Sequence, residues 1–252
     1  MFPQERMNQI IQILKDEGRV RVKDLSQQFG MSEDAIRKDL QALEKEGILE
    51  RTYGGGILKT LPVEIQSIDA RRSTLSADQH IIAKKAMELI EPNDVIFIDI
   101  SSTTLALAEE LVQYQNPLTV VTNDLEILYR LCRNQNLRMV CPGGVYNQDE
   151  GGFTGTETME NLTRIRVNKI FMSTCGIPAD LGIMTYNIDD GNTKRVLMSI
   201  ARKKILLVET KKFHSSGLYQ FANLKDFDCM IVEKELEPEI KKQVAELPIQ
   251  VI

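Results

Sequence analysis

Between residues 99 and 104 the chain offers a carboxyl and four hydroxyls: Asp99, then Ser101, Ser102, Thr103 and Thr104, with only Ile100 interposed. The group stands between an apolar run, "VIFIDI" at 95–100, and the helix-like stretch "LALAEEL". Hydroxyls and free backbone amides at a helix start suit a phosphate or a sugar hydroxyl. Other apolar runs end in comparable chemistry. Asn123 follows "LTVVT" (118–122), Gly143 and Gly144 follow "LRMVC" (137–141), and "KILLVE" (204–209) runs through Glu209 into Lys212 and Phe213. Together these ends supply donors, a close-approach turn and a cation for one anionic polyol. Lys194, beside Asp189 and Asp190 in sequence, is assigned to the same edge. No G-x-G-x-x-G follows a strand and no Walker A lysine motif occurs, so a dinucleotide or P-loop site is not expected.

A second set of chemistry-bearing residues lies near the N-terminus. Ser32 is an N-cap residue, Glu33 and Asp34 suit the positive end of a helix, and Gly47 is a suitable stop. Ile36, Leu40 and Leu43 form the inward stripe, which turns Asp34, Ala35, Arg37 and Lys38 outward. "ILERTY", "GGG" and "ILK" read as a hairpin carrying Arg51, Tyr53 and Lys59. A helix beside a glycine-rich hairpin is the arrangement of a winged helix-turn-helix, whose helix enters the major groove while its wing grips backbone. Asp39, Glu44, Glu46 and Glu50 would oppose phosphate if they faced DNA.

These residues require elements to position them. Met7, Ile10, Ile11 and Leu14 recur at helical spacing up to Gly18, "VRV" at 20–22 can extend, and Leu25 with Phe29 fits a short second helix ending at Gly30. That gives a winged helix-turn-helix over 1–60 and a patternless linker over 61–78, with Pro62 inside it. Over 79–252, compact apolar runs alternate with helix-like stretches, and "KIFMST" (169–174) and "CMIVE" (229–233) complete a series of buried parallel strands. The fold class is α/β, with a larger Rossmann-like domain whose ligands bind beyond the carboxyl ends of its strands.

Composition sets outer limits. The 252 residues are 42% hydrophobic and carry a net charge of -5, so DNA contact must come from a local patch. Cys132, Cys141, Cys175 and Cys229 form no C-x-x-C pair, and with His80 and His214 they show no metal-ligand spacing. Neither a cofactor nor a metal is expected. The amphipathic "MFPQERMNQIIQIL" is unlike a secretion signal, and no apolar run approaches the roughly 20 residues that span a bilayer. The expected location is the cytoplasm, without membrane contact.

The residues Ser32, Ile36, Arg37, Asp39, Leu40, Leu43, Gly47, Gly54 and Gly55 match the N-terminal signature of the DeoR family of bacterial transcriptional regulators, which this chain resembles. Ala35, Lys38, Tyr53 and Gly56 depart from that signature. In the second half the resemblance rests on Asp99 with Ser101 to Thr104, Val121 to Asn123, Gly143 with Gly144, Gly176 with Ile177, and Glu209 with Lys212 and Phe213, of which Ser101 and Glu209 depart from the family's Gly and Asp. It implies a sensor domain like the ribose-5-phosphate isomerase group of folds. It further implies a repressor of a carbohydrate-utilisation operon, with a double-stranded DNA operator and a phosphorylated sugar effector as partners. A homodimer or higher homo-oligomer would span two half-sites. The competing class is a sugar-phosphate isomerase-like enzyme. Isomerisation needs a carboxylate base, and the isomerases carry theirs in the loop after this strand, where "STCGIP" (173–178) has none. No catalytic residue is therefore assigned.

Overall fold

The structure is a computed structural model that describes residues 6, 7, 9–11, 13, 14, 19–45, 49–58, 72 and 74–252. The expected helix stops Gly18 and Gly47, the wing residue Lys59, Glu46, and residues 61–71 and 73 of the linker lie outside the described residues. The chain divides into two compact units, Met1–Ile65 and Gln66–Ile252.

In the first unit, residues 6, 7, 9–11, 13 and 14 are helical. Strand β1 (Arg19–Arg21), helices α1 (Val22–Phe29) and α2 (Glu33–Lys45), and strands β2 (Leu49–Thr52) and β3 (Gly55–Leu58) follow. Gly30 ends α1 at φ 62°, with its N–H on the Ser26 carbonyl; glycine takes this left-handed conformation without a Cβ clash, so the chain turns at once towards α2. Ile36, Leu40 and Leu43 are each at most 1% exposed and share a core with Ile10, Leu14, Leu25 and Leu49. The apolar stripe therefore orients α2 and leaves its other face outside.

The three glycines of the wing do different things. Only Gly54 joins Tyr53 in the turn, whereas Gly55 and Gly56 belong to β3. The sheet order is β1-β3-β2, and a Cβ on Gly55 would overlap the Val20 carbonyl oxygen of β1. The expected glycine turn is thus a two-residue turn followed by a close approach between strands, and "VRV" yields its last residue to α1.

In the second unit, helix α3 (Ala77–Met87) is capped reciprocally by Ser76 and Gln79, so it begins two residues inside the segment assigned to the linker. Its main sheet contains β4 (Val95–Ile98), β5 (Leu118–Thr122), β6 (Leu137–Val140), β9 (Val167–Met172), β11 (Ala201–Leu207), β13 (Cys229–Ile231) and β14 (Gln250–Val251). These seven strands lie in the order β14-β13-β11-β9-β4-β5-β6, all parallel. Alternate residues feed two cores. Ile96, Ile98, Phe171, Ile205 and Leu207 face helices α3, α4 (Ser102–Leu111) and α5 (Leu125–Leu131). Phe97, Ile170, Met172 and Leu206 pack in the core shared by α6 (Thr156–Leu162), α7 (Ile188–Ile200) and α8 (Pro238–Val244). This is a doubly wound sheet.

Two small antiparallel pairs were not expected from the apolar runs: β7 (Val145–Asn147) with β8 (Gly152–Thr154), and β10 (Gly182–Thr185) with β12 (Tyr219–Asn223). Chain direction through the main sheet reverses between β4 and β9: β4 leads outward to β5 and β6, and β9 leads the other way to β11, β13 and β14. A crevice forms at such a switch point, beyond the strands' carboxyl ends.

Candidate functional site

Asp99 leaves the end of β4 at that switch point and is fully buried. Its Oδ2 accepts a hydrogen bond from the Lys194 ammonium, which comes from α7 and also pairs with Asp190 Oδ1 at 3.4 Å. Asp190 is fixed in turn by the Thr185 hydroxyl at 2.6 Å. The Lys194 ammonium lies 5.8 Å from the centre of the Phe221 ring. Burial works against the Lys194 charge, but Asp190 and Asp99 outweigh it and hold the group protonated above its ordinary range. Burial pushes Asp99 up to about 6, with Asp190 adding to the rise and Lys194 opposing it.

The hydroxyl loop is wired mainly to itself. Ser101 caps α4 by accepting from the Thr104 N–H at 2.9 Å, and the Thr104 hydroxyl donates to the Asp99 carbonyl at 2.6 Å. Ser102 accepts from the Gln79 side chain at 3.0 Å. Thr103 is 5% exposed on the same first turn. Three of the four hydroxyls thus shape the loop, and the structure brings them together with Asp99 and Lys194.

The neighbouring strand end carries Asn123 and Asp124, both buried. Asn123 donates to the Phe153 carbonyl at 2.9 Å, and its own carbonyl accepts the Phe153 N–H at 2.8 Å, which ties hairpin β7–β8 to this edge. Asp124 caps α5 by accepting from Glu126 and Ile127 N–H groups, and it pairs with Arg72. Burial pushes Asp124 up to about 6 although Arg72 opposes that rise. Three buried atoms here have no hydrogen-bond partner among the described residues: Asp99 Oδ1, Asn123 Oδ1 and Arg72 Nε.

The remaining assigned residues are placed less centrally. The bonds around Gly143 and Gly144 run to α6, where the Thr158 hydroxyl donates to the Gly143 carbonyl at 2.8 Å and Asn161 to the Pro142 carbonyl at 2.9 Å. Lys212 is half-buried, its N–H on the Glu209 carbonyl and its carbonyl accepting from Ile177, and its charge bears on the buried Cys175 thiol. Glu209 accepts from Ser76 and pairs with Lys211 at 2.8 Å. Asp189 is exposed, and its backbone N–H is capped by Asn187. An open groove of about 850 Å³, lined by Arg195, Lys204, Phe221, Lys225 and Asp228 among others, contains none of the assigned residues.

In the first unit Lys38, Arg51, Tyr53, Asp34 and Ser32 are exposed and Ala35 is half-buried. Ser32 caps α2 through Ala35 N–H at 3.3 Å. Arg37 is engaged by its own helix, with Glu33 at 2.7 Å and Asp34 at 3.0 Å. Arg51 donates its N–H to Glu44 at 3.2 Å, so this acidic residue turns towards the wing. Asp39 does not face outward at all: it is 7% exposed and takes a two-pronged bond from Arg6, at 2.6 and 3.0 Å.

Arg72, Asp124 and Gln79 were missed as site residues. Asp124 carried a local signal, an Asp immediately before "LEIL", which is an N-cap pattern. Arg72 carried none, because its partner is 52 residues away.

Residues 6–60 match the DeoR-like helix-turn-helix domain and residues 76–234 match the DeoR C terminal sensor domain. The HTH-type transcriptional regulator GolR of Listeria innocua is 30% identical, covering 100% of this chain and 99% of its own. The glycerol-3-phosphate regulon repressor of Escherichia coli is 28% identical over 91% of this chain and 90% of its own. Among solved structures, RipA from Yersinia pestis has a TM-score of 0.50 at 10% identity, covering 75% of this chain and 54% of that one, a likeness of fold.

Proposed function

The chain belongs to the DeoR family of transcriptional regulators, and we propose that this DNA-binding regulator represses a carbohydrate-utilisation operon until a phosphorylated sugar occupies its second unit. The observation that carries the effector reading is the buried Asp99–Lys194–Asp190 cluster at the switch point, where Asp99 keeps an acceptor atom unsatisfied. A buried acceptor without a partner is costly unless a ligand hydroxyl or water completes it. Residues 1–60 would bind the operator through Ser32, Asp34, Ala35, Arg37, Lys38, Arg51, Tyr53 and Lys59, and residues 79–252 would bind the effector, with 61–78 between them. Two such chains at least would engage two half-sites in the cytoplasm. Among the described residues no helix is long and apolar enough to cross a membrane.

The protein acts without turnover in this reading. Asp99, pushed up to about 6, is the one observation that favours an isomerase, because a base tuned near neutrality suits proton abstraction. Against it stands the Lys194 bond that occupies its other oxygen.

The test pairs an operator-binding curve with an effector titration. Thr103→Val and Lys212→Ala should bind operator as the parent does yet fail to release it at phosphosugar concentrations that dissociate the parent. Variants that release operator normally would place the effector elsewhere. Isomerisation of pentose or hexose phosphates that disappears in Asp99→Asn would replace the regulator-only reading with an enzyme.

A further inference from the structure

The geometry points to Arg72, from the segment that leads into α3, as an anion-binding group of the sensor site in addition to Lys212, held ready on Asp124. This rests on the effector reading above and names a residue that would receive the ligand's charge.

Three observations carry it. Lys194 is 3% exposed and its ammonium already meets Asp99, Asp190 and the Phe221 ring, so its charge is spent within the protein. Arg72 differs: its side chain is 9% exposed, one Nη engages Asp124, and its Nε is buried with no partner among the described residues. A guanidinium presents its donors as a fixed fork, and Nε with an Nη is the edge that takes two oxygens of a phosphate or carboxylate. Asp124 occupies one tine and leaves the other empty.

The other two orphaned atoms say what accompanies the anion. Asp99 Oδ1 and Asn123 Oδ1 are acceptors at adjacent strand ends, since Ile98 is paired with Thr122 in the β4–β5 register. Asp124 follows Asn123 directly and bonds Arg72, so the three orphaned atoms belong to residues gathered at the ends of β4 and β5. Two acceptors want hydroxyl donors and one guanidinium edge wants an anion. That combination describes a phosphorylated polyol, and neutral sugars satisfy only two of its three elements. Because Asp124 and the ligand would compete for the same guanidinium, occupancy would draw on a residue five positions before α3, in the chain that leads to the DNA-binding unit.

The experiment uses the full chain, with isothermal titration of ribose 5-phosphate, fructose 6-phosphate, glucosamine 6-phosphate and glycerol 3-phosphate, each beside its uncharged parent, and of inorganic phosphate. For the phosphorylated probe that binds the parent protein most tightly, Arg72→Gln should weaken binding by at least about tenfold, and Arg72→Lys should recover part of it. The preference for the phosphorylated over the uncharged probe should collapse in step. Arg72→Gln leaves Asp124 unpaired, so the double variant Arg72→Gln with Asp124→Asn, whose Asn still caps α5, guards against unfolding. Unchanged affinity and preference in the folded double variant would overturn the Arg72 assignment while leaving the effector site standing. Failure of the parent protein to bind any of these probes would overturn both, and weakening by Thr103→Val but not by Arg72→Gln would return the anion to the hydroxyl loop.

Discussion

Each unit encloses an ion pair, and the two are finished differently. In the first, Arg6 grips both oxygens of Asp39, at 2.6 and 3.0 Å. In the second, Lys194 satisfies one oxygen of Asp99 and leaves the other buried and unpaired, and Arg72 does likewise with its Nε. A closed pair is architecture: it fixes α2 against the helical residues that precede β1. An open pair at a sheet's switch point is what the proposed effector site calls for, because a ligand would bring the partners it lacks. Burial alone does not separate the two; the count of satisfied atoms does.

The sharpest way to break this comparison is to remove half of the closed pair. Asp39→Ala would strand the Arg6 guanidinium in a buried setting and should destabilise the first unit by about 3–5 kcal/mol, whereas Arg6→Met with Asp39→Leu should come out near neutral. Urea unfolding of the two variants measures both. If Asp39→Ala unfolds at the parent's midpoint, the pair does not hold the first unit together.

Much of this was legible in the sequence, and the exceptions have physical reasons. The parallel strands announced themselves because buried strands are continuous apolar runs, and α2 because Ile36, Leu40 and Leu43 keep helical spacing. Asp39 lies three residues after Ile36 and beside Leu40, so it sits on the rim of that stripe; a carboxylate there needs an interior cation, which its charge alone did not reveal. The glycine run looks like a simple turn because local pattern contains no hint that β3 returns against β1 at Gly55. Arg72 was hidden for the same reason on a longer scale. Its segment has no period, and its meaning comes from Asp124 in a fold that only the whole sheet defines.

The second prediction sharpens the open side of the comparison through pH. Asp99 and Asp124 both titrate near 6 in the folded protein, above the ordinary aspartate value of 3.8, because burial disfavours their charge. A carboxyl whose folded pKa is raised stabilises the fold in its protonated form below its unfolded pKa, and that contribution is lost as pH rises through the folded value. Between pH 4 and 6 these two groups should therefore lower stability as pH increases. Asp99→Asn should remove its share, on the order of 1–3 kcal/mol, and flatten that part of the profile relative to the parent. Melting temperatures at half-unit intervals across the window would show it. A parallel profile in parent and variant would mean that Asp99 is ionised throughout, with its free oxygen already satisfied.

The exposed pairs of α2 supply the limiting case, with the smallest effect on stability. Arg37 meets Glu33 and Asp34 with all three side chains largely in water. Such pairs contribute about 0.2–1 kcal/mol at most, since solvent screens the charges and the long side chains lose freedom. Arg37→Ala should therefore leave unfolding nearly unchanged. Its guanidinium can exchange weakly held carboxylates for a base edge, so the same substitution should weaken operator binding by about 1–3 kcal/mol if the contact is bidentate. Lys38 is exposed one residue further along and lacks the planar fork, which suits it to phosphate. Lys38→Ala should lower affinity similarly on every DNA sequence and reduce the slope of log affinity against log salt by about one, the share of a single neutralised phosphate. Fluorescence anisotropy over a salt series, run in parallel on an operator fragment and on a scrambled one, separates the two roles. Loss confined to the operator for Arg37→Ala, with uniform loss for Lys38→Ala, is the expected pattern. If neither variant alters binding while both remain folded, α2 is not the helix that enters the groove, and its outward charges are only a solvated face.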